Sequence, residues 1–430
     1  MAQTLSVCAR PDAASSRFVP DLADLAAAGI LAFSVALSLS LAFLQPIPEG
    51  REYGSAVACT VFLAGLAICY RFRGKLLHNV WFLGAAFVAG AAMGAVKMAT
   101  IPVDSEVLRV YASVFDLLEH GQNPYVVPAV FHADTAGHAV WGTFNYPPLE
   151  ILPFWLARLL TGQWNAAVFT GTVLALQLLV LLVLRSTLPR VPLWKLAACF
   201  PVMTLLAVQT NTALTFLAVA LILKVVVARH HRHRRHHRWL LWLLFGLGLN
   251  TKFIVLPLLG ALVWHGVHLR DLRTLVRAAV DVLASLAVAL LVLLPFGVAD
   301  VFRSTVMFNL VLDDRALLTT YYPNVLSALF YLLDARVLYP VAAVSALAAA
   351  VLVGARFSLA GALLTACFAF LLVIPTPELQ YMPVMVYLTL VITHAPEAFG
   401  LPAPAPAPAQ RADLRVVGTA RFRWGRFVRL

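Results

Sequence analysis

Charged side chains are scarce in this chain of 430 residues. Asp, Glu, Lys and Arg make up only 12% of it, whereas hydrophobic residues make up 61% and the mean hydropathy is +0.86. A soluble globular domain carries about 25% charged residues, so this composition excludes that class. Because apolar runs recur along the whole length, the sequence predicts an all-α, polytopic integral membrane protein.

Cysteine is also scarce. The chain has five cysteines, and Cys59, Cys69, Cys199 and Cys367 lie within apolar runs while Cys8 precedes them. Small secreted scaffolds are dense in cysteine, and many zinc sites pair two cysteines at close spacing. The sequence therefore offers neither a disulfide framework nor a CxxC metal site.

The apolar runs predict about twelve transmembrane helices. They lie near residues 25–44, 55–71, 79–100, 164–187, 194–209, 211–228, 239–250, 252–268, 278–295, 338–354, 358–374 and 380–395. The two runs that flank Asn250-Thr251-Lys252 are among the shortest, and we expect them to form a broken or re-entrant pair.

Basic residues cluster on one side of the predicted bundle. The formal net charge is +12, and arginines and lysines follow the second, fourth, sixth and eighth runs and recur in 411–430. The positive-inside rule places these clusters in the cytoplasm, so the charge does not indicate nucleic-acid binding. Five histidines within RHHRHRRHHR, at 229–238, suit either a metal site or a stop signal that touches lipid head groups. The second interpretation is favoured because no carboxylate or cysteine accompanies them.

Acidic residues concentrate instead in the segment 101–147. It carries five carboxylates against Arg109 alone, a net charge of −4, and we expect it to form a large loop on the extracytoplasmic face. The sequence thus predicts one membrane domain over 1–400 that contains this loop. The proline- and alanine-rich linker LPAPAPAPAQ opens the remaining segment, 401–430, which we expect to end as a basic cytoplasmic tail.

An amphipathic helix is predicted within this loop. Apolar residues recur at helical spacing on one face and polar residues on the other, and Gly121 is expected to end the helix. The apolar positions are Val107, Val110, Tyr111, Val114 and Leu118, and the polar ones are Glu106, Arg109, Ser113, Asp116 and His120. Such a pattern predicts a helix that lies on the outer membrane surface.

Two stretches of the loop resemble a known family. DSEVLRVYASVFDLLEHGQNPY, at 104–125, and FNYPPL, at 144–149, resemble the first loop of the polyprenol-phosphate-mannose-dependent mannosyltransferases of glycosyltransferase family 87, which have the GT-C membrane fold. Four later stretches are similar to segments of the same family: LLAVQTN at 205–211, LGLNTKFIVLPLL at 247–259, YPNVLSALFYLL at 322–333 and PTPELQYMPVM at 375–385.

The resemblance implies a function and a set of site residues. It implies transfer of a hexose, with mannose favoured, from a polyprenyl-phosphate donor to a lipid or glycan acceptor, on the outer face of a bacterial inner membrane and with inversion. It implies Asp104 as the catalytic residue. Together, the resemblance and the positions of polar residues in the loops give these candidate substrate-binding residues: Glu106, Arg109, Tyr125, Asn145, Tyr146, Lys252, Asp313, Asp314, Arg315, Tyr322, Asn324 and Gln380.

Such a transfer needs only two catalytic groups. A phosphate leaves as a stable anion, so one general base at the acceptor hydroxyl and one cation at the phosphate are enough. Asp104 suits the first role, and Lys252, Arg315 or Arg109 suits the second. Asp104 also suits a helix N-cap, and the two roles are compatible. For Glu106 a solvated helix face is the favoured interpretation.

The other candidates each have two interpretations. Lys252 is either a functional cation at membrane depth or a side chain that reaches to the interface. Asp313-Asp314-Arg315 binds donor phosphate, directly or through a divalent cation, or forms a solvated turn. Tyr322 and Asn324 contact sugar, or the tyrosine anchors at the interface. Gln380 is interpreted as a buried hydrogen-bonding group.

A transporter or flippase of a lipid-linked sugar is the alternative function. Broken short helices and an intramembrane Lys252 are typical of transporters. No internal repeat is visible in the sequence, however, and one loop carries most of the acidic residues. These two features favour the enzyme.

Overall fold

The computed structural model describes a large part of the chain. The described residues are 106–133, 139–189, 191, 212–232, 238–265, 267, 271–307, 339–354, 358–373 and 381–401. Several predictions fall outside them: the spans near 25–44, 55–71, 79–100 and 194–209, and the site residues Asp104, Asp313, Asp314, Arg315, Tyr322, Asn324 and Gln380.

The described residues are mostly helical. The helices are α1 Glu106–Glu119, α2 Leu152–Thr161, α3 Ala166–Thr187, α4 Ala213–Arg232, α5 Arg238–Leu249, α6 Val255–His265, α7 Leu272–Leu293, α8 Val298–Phe302, α9 Tyr339–Gly354, α10 Leu359–Val373 and α11 Met382–His394. Strands β1 Val130–Ala133 and β2 Ala139–Gly142 form an antiparallel hairpin that packs on α1. Short 3₁₀ turns occupy Pro148–Glu150, Leu294–Phe296 and Pro396–Phe399, and a π turn occupies Arg303–Met307.

Three helical segments among the described residues are long and apolar enough to cross a bilayer. They are Ala166–Thr187, Ala213–His230 and Leu272–Phe296. Each predicted span that falls within these residues contains a helix, although α5 and α6 are only 12 and 11 residues long. The structure is therefore compatible with the predicted helical membrane protein, and the total of about twelve spans stays a prediction.

Helix α1 confirms the amphipathic helix that the periodicity predicts, and Gly121 ends it. Gly121 has φ +67°, its N–H donates to Leu118 O at 3.1 Å, and the N–H of Gln122 donates to Leu117 O at 2.8 Å. These two bonds form a Schellman motif, in which glycine is preferred because it adopts the left-handed conformation without steric cost.

The surroundings of α1 differ from the prediction of a helix lying on the membrane surface. Its apolar face is covered by aromatic side chains of the same chain: Tyr111 lies 5.0 Å from Phe154 and Phe115 lies 4.8 Å from Trp164, between ring centroids. The indole of Trp164 also donates a hydrogen bond to Leu108 O at 3.0 Å. The apolar face is therefore buried in protein, because the segment that follows supplies aromatic partners for it.

Helix α2 carries the exposed apolar surface in this region. Leu156, Leu159 and Leu160 are all exposed, while Arg158 binds Glu119 at the end of α1 at 2.7 Å. A short helix with exposed leucines and an ion-paired arginine suits the membrane interface. Of the two helices, α2 is thus the one that exposes its leucines.

The chain breaks between α5 and α6, as the sequence predicts. Asn250 follows α5, and its buried amide donates hydrogen bonds to Gly246 O at 3.0 Å and to Ala289 O of α7 at 3.1 Å. Thr251 donates to Gly248 O at 2.7 Å and accepts from Thr215 of α4 at 3.1 Å. These side chains supply hydrogen bonds to backbone carbonyl groups that are buried among apolar residues. The break is therefore stabilised by specific hydrogen bonds. A re-entrant course for the pair stays a prediction.

Helices α5 and α7 pack closely together at Gly246. A Cβ atom at this position would lie 2.5 Å from Val288 Cβ and 2.7 Å from Ser285 O. Neither atom belongs to a flexible side-chain end, so an added methyl group would push the two helices apart.

We expect Gly246→Ala to lower the free energy of unfolding by about 1–3 kcal/mol through overpacking. Gly171→Ala is the matched control, since Gly171 lies inside α3 and a Cβ there would meet nothing within 4 Å. That change should be neutral or stabilise by about 0.5–1 kcal/mol. Thermal unfolding of both variants in the same detergent measures the difference, and equal melting temperatures would contradict the close contact.

Candidate functional site

A buried ion pair lies where the loop meets the helix break. Glu150 has 0% and Lys252 6% of its surface exposed, and Lys252 Nζ lies 3.2 Å from Glu150 Oε1. Glu150 closes the 3₁₀ turn that begins at Pro148, and Lys252 belongs to the break between α5 and α6. The N–H of Leu149 donates to Asn250 O at 3.0 Å, so a backbone hydrogen bond holds the two segments together beside the pair.

Two tyrosines complete this cluster. Lys252 Nζ lies 4.2 Å from the centroid of the Tyr146 ring, a distance at which the ring quadrupole attracts an ammonium group. Tyr125 is buried, and its hydroxyl donates to Tyr146 O at 2.8 Å. Burial and, second, the negative charge of Glu150 hold the pKa of Tyr125 well above its ordinary value. Its phenol is therefore a neutral hydrogen-bond donor across the physiological range.

The turn that carries Tyr125 is anchored to the end of α7. Asn123 donates through Nδ2 to Phe296 O at 2.7 Å, and its Oδ1 accepts from the N–H of Tyr125 at 3.0 Å. Ser304 donates to Tyr125 O at 3.1 Å. The side chain of Asn123 thus shapes the turn and fixes it in place, which explains why an asparagine precedes Pro124 here.

The structure brings together three of the residues that the sequence singles out: Tyr125, Tyr146 and Lys252. Asn145 is adjacent to them, and its Oδ1 is buried with no hydrogen-bond donor among the residues that the structure describes. Arg109 lies elsewhere: its guanidinium stacks at 5.0 Å over the ring of Phe131 in β1. Glu106 begins α1.

Glu150 is the residue that the sequence reasoning missed. It is the last residue of FNYPPLE, at the start of an apolar segment, and was not singled out as a site residue. Lys252 could have indicated that such a residue exists, because a lysine between apolar helices needs a nearby negative charge. The interpretation of Lys252 as reaching to an interface does not fit the structure, since the residue is only 6% exposed and its ammonium group is paired with Glu150.

The ammonium group of this pair could bind an anion. The Lys252 ammonium carries three N–H donors, and one carboxylate and one ring already lie against it. An arriving anion such as a phosphate would compete with Glu150 for those donors. Within the described ranges, no group of three or more His, Cys, Asp or Glu side chains is placed to hold a metal ion.

Comparisons of the chain with protein-family models, with curated proteins and with solved structures found no match.

We expect either single change, Glu150→Gln or Lys252→Met, to cost about 3–5 kcal/mol of stability, because each leaves one buried charge without the other. The double variant Glu150→Gln/Lys252→Met removes both charges and should be more stable than either single variant. Denaturation of all four proteins in one detergent gives the coupling energy. Additive losses in the double variant would show that the two charges do not interact.

Proposed function

We propose that the chain is a membrane glycosyltransferase of the GT-C type. It transfers a hexose, with mannose favoured, from a polyprenyl-phosphate donor to a lipid or glycan acceptor on the extracytoplasmic face of a bacterial inner membrane. The observation that carries this proposal is the buried pair of Glu150 and Lys252, at a helix break and under the ring of Tyr146.

The pair supports the proposal because burying two charged groups costs free energy. Moving an ion out of water costs several kcal/mol even after a protein relaxes around it, and ionisable groups among membrane helices mark functional sites by default. Here the lysine faces the very segment, Tyr146-Pro147-Pro148-Leu149, whose sequence resembles that of the mannosyltransferases. Replacement of a whole buried ion pair by apolar residues of similar volume is often neutral or stabilising, so stability does not require that this contact be made by charges.

In the proposed reaction, Lys252 exchanges partners. Without donor, Glu150 neutralises the ammonium group; with donor, a phosphate oxygen takes over N–H donors, and the ammonium stabilises the negative charge that grows on the leaving phosphate. The ring of Tyr146 offers a face for the sugar. Asp313 and Asp314 are candidate ligands for a divalent cation on the same phosphate.

Asp104 supplies the base in this scheme. The acceptor hydroxyl gives its proton to the Asp104 carboxylate, and its oxygen bonds to the anomeric carbon as the bond from that carbon to the phosphate oxygen breaks. A single displacement of this kind inverts the anomeric centre, and one carboxylate suffices because the phosphate needs no proton to leave.

Transport of a lipid-linked sugar is the second candidate, and the break between α5 and α6 is the observation that favours it. Discontinuous helices line the substrate sites of many transporters. The two functions differ in their products: an enzyme joins the radiolabelled hexose of a polyprenyl-phosphate donor to an acceptor, whereas a flippase moves the intact donor across a liposome membrane.

The double variant Glu150→Gln/Lys252→Met tests the observation that carries the proposal. In proteoliposomes with radiolabelled polyprenyl-phosphate mannose and a membrane-lipid acceptor extract, it should remain folded yet transfer at least roughly a hundredfold more slowly than the natural chain, because the cation at the phosphate is gone. Lys224→Met, which removes the α4 ammonium group that donates to Ser186 Oγ, is the matched control and should leave the transfer rate unchanged. Undiminished transfer by the double variant would remove Lys252 from the reaction, and donor translocation without transfer would favour the flippase.

We expect Asp104→Asn to lower the transfer rate by at least roughly a hundredfold, because the amide cannot accept the proton. Its melting temperature should hardly change, since Asn and Asp cap helices about equally well. A residue that only capped would behave in the opposite way: Asn would be silent and Asp104→Ala would cost about 0.5–2 kcal/mol of stability.

Glu106→Gln is the control for Asp104→Asn, since it removes a carboxylate two residues away. An active Asp104→Asn protein ends the assignment of Asp104 as the base. If Glu106→Gln were then inactive, the base would lie at Glu106.

A further inference from the structure

A cavity lies at the opposite end of α5 from the ion pair. It encloses about 590 Å³ between the end of α4 and the helices α5, α6 and α7, within the range of about 300–1,000 Å³ that is typical of ligand pockets. It begins at Arg238, the first residue of α5, while the break at Asn250 follows the last. The two ends of this helix are roughly 17 Å apart, at a rise of about 1.5 Å per residue.

The rim of the cavity is cationic. It carries Arg229, Arg238 and Arg277 against one carboxylate, that of Asp281. Asp281 is already engaged, since it accepts from Arg238 Nε at 2.6 Å and from the indole of Trp242 at 2.5 Å. Within the part of the chain that the structure describes, no carboxylate lies against the exposed guanidinium groups of Arg229 and Arg277.

The interior of the cavity is apolar. Leu241, Phe245, Leu259 and Leu262 line it on α5 and α6. The neighbouring outer surface of α7 is apolar as well, with Val276, Val280 and Leu283 among its exposed side chains. A ligand that fills the cavity therefore meets cations at one end and hydrocarbon at the other.

We propose that this cavity binds an anionic diacyl phospholipid. The head-group phosphate lies between Arg229 and Arg277, and part of an acyl chain occupies the apolar interior. Basic pockets between transmembrane helices bind anionic head groups in this way, and the exposed apolar surface of α7 gives the remaining hydrocarbon a place beside the cavity. A small soluble anion would leave the leucine-lined half unfilled.

This site is separate from the proposed donor site. It shares no lining residue with the cluster of Glu150 and Lys252, and the clustered arginines place it on the face that the positive-inside rule assigns to the cytoplasm. A bound lipid would link α4, α5 and α7 by balancing the charge that their arginines bring together. The proposal holds whether the chain is a transferase or a transporter.

The test measures lipid retention by the purified, delipidated full chain. Native mass spectrometry during titration with dioleoyl phosphatidylglycerol or dioleoyl phosphatidylcholine should show one phosphatidylglycerol retained per chain and no comparable phosphatidylcholine species. Arg277→Gln should weaken that affinity about fivefold, as expected for the loss of one basic residue near a lipid surface.

Arg273→Gln is the matched control, because Arg273 is an exposed arginine one turn earlier on α7 and does not line the cavity. It removes the same charge and should leave the affinity unchanged. Equal weakening by the two variants would mean diffuse attraction to a charged surface and would overturn the proposal, as would equal retention of the two lipids.

The acyl chain has a test of its own. Leu262→Trp fills the apolar half and should abolish retention while every arginine remains, with circular dichroism confirming that the variant is folded. Added sn-glycerol 3-phosphate should not displace the lipid, because it has no acyl chain. Efficient displacement, or full retention by the folded Leu262→Trp protein, would show that no hydrocarbon enters the cavity.

Discussion

The attraction between Lys252 and Glu150 is the interaction on which the arrangement of this region depends. Each group, buried alone, would carry a large desolvation penalty, and together they offset one another only because two distant segments are held at 3.2 Å. Two hydrogen bonds around the pair maintain this distance. The N–H of Leu149 donates to Asn250 O and joins the two backbone segments, and the Asn250 side chain donates to Ala289 O and ties the helix break to α7. The loop, the break and α7 therefore keep one relative position.

Two different groups of charged side chains lie at the two ends of the short helix α5. At the end of α5 a carboxylate and an ammonium group neutralise one another out of water, whereas at its beginning three arginines face a single carboxylate. The first arrangement suits a group that changes partners during a reaction, and the second suits a permanent anion. Gly246 lies between the two groups and allows α5 to pack closely against α7. Both groups therefore lie beside the same pair of packed helices.

Local patterns in the sequence predict the helices well and their surroundings poorly. Apolar runs place α3, α9 and α10 within a few residues, and Gly121 stops α1 where expected, because length, hydropathy and turn chemistry are local properties. The centre of the buried face of α1, formed by Val110, Tyr111 and Val114, is predicted correctly. What covers that face is not predicted, because Phe154 and Trp164 lie more than thirty residues further along. Glu150 was missed for the same reason, since it is identified by Lys252, about a hundred residues away.

The backbone bond between Leu149 and Asn250 also constrains how the protein is made. Its partners are about a hundred residues apart, so at a synthesis rate of about 5–20 residues per second the first segment waits roughly 5–20 seconds for the second. During that interval Glu150 has no Lys252 to pair with, so its burial is not yet compensated. The contact between the two segments therefore forms only after α5 and Lys252 have left the ribosome, so it cannot guide the earlier folding of the segment that begins at Pro148.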